Sequence, residues 1–166
     1  MELIETPIAK GDHVYYRVRI DGKPPSFWIG FEHANVKSLP PEQGSRSWIY
    51  FKSNPLPTLS EIWNQLASRL KELKPDYLIK PLPDRMALQF QEPEIRLGLQ
   101  ESRISQEEFL KRLTTSFSGR IRFGLSRVVS HGSSIIPSFW MVELVVTEFD
   151  YPDLKGEESV RRFLMS

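Results

Sequence analysis

The segment GRIRFGLSRVV, residues 119–129, alternates Ile121, Phe123, Leu125 and Val129 with Arg120, Arg122, Gly124 and Ser126. A period of two turns one set toward a core and the other toward water, so the segment reads as a half-buried strand. HVYYRVRI (13–20) carries the same pattern more cleanly. Val14, Tyr16, Val18 and Ile20 face inward there, and His13, Tyr15, Arg17 and Arg19 outward. The turn DGKPP follows, then SFWIGFE (26–32) and, past the loop HANVKSLPPEQGS (33–45), RSWIYFKS (46–53), both rich in aromatic and β-branched residues. With Phe27, Ile29, Phe31, Ile49 and Phe51 assigned to the core, Trp28, Trp48 and Tyr50 fall on the outside. RMALQFQ (85–91) reads as a short strand, and SFWMVELVVTEF (138–149) is apolar enough to lie mid-sheet.

Two helices interrupt the strands. Thr58 with Glu61 has the spacing of a capping box, and Pro57 argues against an earlier start. Leu59, Ile62, Trp63, Leu66, Leu70 and Leu73 then recur at helical spacing, which makes Trp63 a core residue, and Pro75 ends the run. Ser105 with Glu108 repeats the capping pattern, Ile104 with Phe109 has the spacing of a hydrophobic staple, and Leu110, Leu113 and Phe117 extend the buried face. EESVRRFLM (157–165) reads as a short terminal helix. The order strands, helix, strand, helix, strands, helix predicts an α+β fold: a largely antiparallel sheet of about six strands packed with two main helices and a short C-terminal one. Residues 1–166 are expected to form a single domain, with a weak possible boundary in the proline-punctuated stretch 75–84.

The totals are those of a globular chain, with 40% hydrophobic and 26% charged residues and a net charge of +1, so any electrostatic partner must be argued from local patches. There is no cysteine, which excludes disulfides, thiolate nucleophiles and sulfur-bound zinc. No apolar run is long enough to span a membrane, and the expectation is a cytoplasmic protein without membrane contact.

Catalytic signals are weak. His13, His33 and His131 show no metal-ligand spacing, and Asp12 and Glu32, next to His13 and His33, would point to the opposite faces of a strand. SHGSS (130–134) lacks the GxSxG elbow, and neither GxGxxG nor a P-loop occurs. No catalytic residue, metal site or cofactor is expected, and the reading leans against an enzyme.

Two surface features stand out instead. From Phe109 to Val142, 34 residues hold Lys111, Arg112, Arg120, Arg122 and Arg127 without one acid, and Glu143 to Glu158 then holds six. Exposed arginines at a strand edge have an ordinary use in preventing aggregation, and they also capture phosphate or carboxylate. The second feature is the outer face of the first three strands, where aromatics mix with arginines. The candidate binding residues are therefore Tyr15, Arg17, Arg19, Trp28, Trp48, Tyr50, Arg120, Arg122, Arg127 and His131. They suggest a noncatalytic interaction module that binds a protein partner or self-associates. The alternative is nucleic-acid or polyanion binding through the arginine-bearing strands, although the RNA-recognition signature is absent. A hydrolase or lyase centred on His131 is a second alternative. If all these strands share one sheet and one core side, Arg17, Arg19, Arg120 and Arg122 must emerge together on the other side.

Overall fold

The computed structural model describes residues 2–10, 13–38, 47–50, 56–82, 87–89, 93–99 and 102–165. These form strands β1 (Glu2–Lys10), β2 (His13–Arg19), β3 (Ser26–Ser38) and β4 (Ser47–Tyr50), helix α1 (Leu56–Leu73), then β5 (Leu78–Ile79), β6 (Ala87–Gln89), β7 (Glu94–Leu97) and β8 (Ser102–Ile104). Helix α2 (Gln106–Arg112), β9 (Phe117–His131), β10 (Ser134–Phe149) and α3 (Gly156–Met165) complete the order.

The long hairpin of β9 and β10 is the spine. Its turn is Gly132–Ser133, where Gly132 takes a φ of 62° that a glycine adopts without strain. The far edge of β9 receives β3 alongside residues 117–124 and β2 alongside 127–131, and β1 pairs with β2. The far edge of β10 receives β7 and β5, both parallel to it, and every other pairing is antiparallel. The main path runs β6-β4-β3-β9-β10-β7-β8. This is the expected α+β domain with a largely antiparallel sheet.

Ten strands occur among the described residues, against about six expected. The additional ones leave little period to read. β1 contains Pro7 inside a register shift between Ile4 and Ile8, and β5, β7 and β8 have two, four and three residues. β3 also runs on to Ser38 through residues expected in a loop.

The helices cover one side of this sheet. Trp63, Leu66 and Leu70 of α1 pack with Val18, Leu125, Val128 and Ile135, and the Trp63 indole N–H donates to the Lys80 carbonyl at 2.7 Å. Phe109 of α2 and Val160 and Phe163 of α3 join Phe117, Ile121, Phe123, Leu144 and Phe149 in the second cluster, where Phe149 and Phe163 stack with centroids 4.1 Å apart. Each such side chain, removed from water, stabilises the fold by about 1.5–3 kcal/mol.

Two helix boundaries differ from the sequence expectation. α1 begins at Leu56 rather than after Thr58, so Pro57 lies in its first turn, where the missing N–H would have had no partner anyway. α2 ends at Arg112, and Phe117 opens β9 while remaining buried. Its start is as expected: the Ser105 hydroxyl accepts from the Glu108 N–H at 3.2 Å, although the Glu108 carboxylate takes a bond from Arg112 at 2.7 Å instead of reaching back.

Strict alternation does not survive along β9. The pairing shifts between Ser138↔Arg127 and Phe139↔Leu125, which leaves Ser126 as an inserted residue. Leu125 and Val128 are therefore both buried, and Val129 lies on the side of Arg127 rather than with Leu125 as expected. A second irregularity in β3, between Phe31 and Ala34, keeps both of those residues buried and places His33 at a φ of 53°.

Candidate functional site

Residues paired across a sheet share a face, so the register assigns the candidates. Trp28 pairs with Arg122, and Gly30 with Arg120, while their neighbours Ile29 and Ile121 are in the core. Because Ser126 shifts the parity, Arg127 joins Arg120 and Arg122 on the outer side. Arg127 pairs with Arg17, Val129 with Tyr15, and His131 with His13, so β2 presents positions 13, 15, 17 and 19 there as well. In β4, Tyr50 pairs with Asn35 and position 48 with Lys37, opposite in face to the buried Ile49. The ten candidates thus occupy one face, which the described helices leave clear except where the first turn of α3 reaches Arg120. For Trp48 that assignment rests on backbone register alone.

The aromatic groups on this face are open. Trp28 is 46% exposed and Tyr50 39%. Arg120 and Arg122 lie over the Trp28 ring at 5.4 and 5.9 Å, Arg127 over Tyr15 at 4.5 Å, and Lys37 over Tyr50 at 5.3 Å. Cations held flat against rings keep their alkyl stems ordered and their charge at the surface.

Trp140 belongs to the same face and was not among the sequence candidates, because SFWMVELVV reads as a strand buried on both sides. It pairs with Gly124 and is 43% exposed. A Cβ at Gly124 would stand 2.6 Å from the Trp140 Nε1, so the indole lies across the β9 backbone in a space that only glycine leaves. Gly124, at an outward position inside a strand, was the available signal.

Charge on the face is unevenly compensated. Glu143, 13% exposed, accepts hydrogen bonds from both Arg96 and Arg122. Burial would raise its carboxyl, but the two arginines outweigh it and hold the group below its ordinary value. Arg103 reaches Glu94 at 3.2 Å. Arg96 and Arg103 stand directly opposite each other in β7 and β8, and each has its carboxylate. Arg17 and Arg127 also stand directly opposite each other, yet among the described residues no salt bridge involves Arg17, Arg19, Arg120 or Arg127.

At one end of the face Arg120 and Arg96 help line a cavity of about 310 Å³ with Thr147 and, from α3, Glu157. Glu157 accepts the Leu99 N–H there. A carboxylate on its wall makes this cavity a poor receptor for an anion. His131 stands at the hairpin end of β9 with His13 opposite in register, and among the described residues no group of three histidines or acids could hold a metal. No helix among them is long and apolar enough to cross a membrane. The chain matches no protein-family model, no curated protein and no solved structure.

Proposed function

We propose that this protein is a noncatalytic interaction module that docks an anionic macromolecule on the open face of its sheet. The observation that carries the reading is the Arg17–Arg127 pair. Like charges directly opposite in a sheet destabilise it by about 0.2–1 kcal/mol, and Arg19 and Arg120, which make no salt bridge among the described residues, add to the same field, with Glu2 opposite Arg19 in register and Glu157 across a cavity from Arg120. A bound anion removes that cost, which links the charge arrangement to binding.

Arg17→Glu separates stability from function. It creates an opposite-charge cross-strand pair with Arg127, so the thermal midpoint should hold or rise, by the equivalent of about 0.2–1 kcal/mol. Retention on a heparin column should fall to the void volume. Unchanged retention, or no retention of the natural protein at low salt, overturns the reading.

A second reading, self-association or capture of a protein partner, is favoured by the apolar strip of Ile136 and Trp140, which are 39% and 43% exposed on the outer side of β10. Salt distinguishes the two. Apolar association persists or strengthens as ionic strength rises, whereas anion docking weakens. Light scattering across a salt series reads the difference.

A further inference from the structure

Resting on that reading, we infer that the anionic partner is a single-stranded nucleic acid, with an unpaired base stacked on Trp140, a second against the part of Trp28 that Arg120 and Arg122 leave exposed, and phosphates held by Arg17, Arg19, Arg120 and Arg127. The face offers two different groups in alternation. Charge alone would suit any polyanion, but flat exposed indoles suit a ligand that carries planar rings between its charges. Trp140 lies down over Gly124 instead of standing up from the sheet, and it is 43% exposed. A large indole in that posture on an uncovered face has an open π-surface and no packing partner from any described helix.

Trp28 stands on β3 and Trp140 on β10, with β9 between them, so strand spacing alone sets them about 10 Å apart. Between and beside them run the arginines: Arg120 over Trp28, then Arg127, Arg17 and Arg19 toward β2. A duplex hides its base faces, and reading its major groove takes a helix or a projecting ribbon, whereas this surface is the flat of a sheet. An acidic protein segment would neutralise the guanidinium groups but bring no ring to the indoles. A single strand supplies both from one chain.

The experiment is fluorescence anisotropy of the full chain with a fluorescein-labelled oligothymidylate of about 15 nucleotides, the matching duplex, and unlabelled polyglutamate and heparin as competitors. The single strand should bind at least about tenfold more tightly than the duplex, since only it has free bases to stack. Neutralising four phosphates implies a slope near 0.7 for each, so raising salt from about 50 to about 200 mM should weaken binding about 50-fold. Trp140→Ala should weaken it about tenfold, the effect of one lost stack, with circular dichroism and heparin retention unchanged. Gly124→Ala should do the same by lifting the indole, which gives a second variant should one of the two fold poorly.

The outcomes separate. Equal binding of single strand and duplex, with no effect of Trp140→Ala, overturns the nucleic-acid assignment and leaves a polyanion surface. Displacement by polyglutamate at equal charge overturns it in favour of an acidic protein. Failure of both the oligonucleotide and heparin to bind takes down this inference together with the function it rests on.

Discussion

Glu143 shows how much one side chain can organise on this face. It draws Arg96 from β7 and Arg122 from β9 toward β10, and its carboxyl lies below the ordinary 4.5 because those two guanidinium groups overcome its burial. A depressed folded-state pKa gives stability that is complete above the unfolded value and is lost as pH falls through the folded one. Urea titrations should therefore show a loss of stability that sets in below pH 4.5. Glu143→Gln should cost about 2 kcal/mol at neutral pH, since it removes the negative charge and leaves one amide oxygen to accept where two arginines each had a carboxylate oxygen, and should flatten that acid limb. At the alkaline end Tyr16 behaves oppositely: its hydrogen bond with Tyr77, and then burial, raise its phenol above 10.0. Its contribution is present below 10.0 and fades as pH rises through the folded value, which a phenolate absorbance titration against unfolded protein will reveal. The residues themselves were legible unevenly. Arg120 and Trp28 followed from alternation, whereas Trp140 did not, because its exposure depends on which neighbours cover a strand and its posture depends on Gly124 across the ladder.

At the scale of elements, the local signals that held were those that close within a few residues. The Ser105 cap is one, and Ser105→Ala should cost about 1 kcal/mol in a denaturant melt, because the Glu108 N–H loses its acceptor in the first turn. The extra residue in β9 is another matter. The one mark in GRIRFGLSRVV is Arg127, which simple alternation would turn inward with Leu125; that Ser126 is the inserted residue appears only against β10. Its consequence is large: without it Arg127 would turn toward Trp63 and Val128 toward water. The irregularity in β3 has a visible cost, His33 at a φ of 53°, and visible support, its Nδ1 lying 2.8 Å from Asp150 and its backbone N–H donating to the Ser118 hydroxyl at 3.1 Å. His33→Ala keeps the strained backbone and removes an exposed contact with Asp150, so it should destabilise by about 0.5–1 kcal/mol, and His33→Gly, which relieves the positive φ, should recover part of that loss. Thermal unfolding of the two variants side by side decides it.

For the whole molecule, the decisive property is that the described helices pack their apolar faces on one side of the sheet. Trp63, Phe109 and Phe163 all come from helices to the same face of β9 and β10, and the opposite face is left to arginines and indoles. The sequence by itself determined the α+β class, both main helices, the core identity of Trp63 and the outward parity of Tyr15, Arg17, Arg19, Trp28, Arg120 and Arg122, because periodicity is a property of the chain's own geometry. Only the tertiary structure decided that these residues share one face, that Arg127 joins them, that Arg17 meets Arg127 while Arg96 and Arg122 meet Glu143, and that Trp28, Tyr50 and Trp140 are exposed there. Such facts depend on which strands become neighbours and in what register. Both are set by long-range pairing through β9 and β10, whose partners lie as far apart in the chain as His13 and His131 and leave little mark in the local pattern.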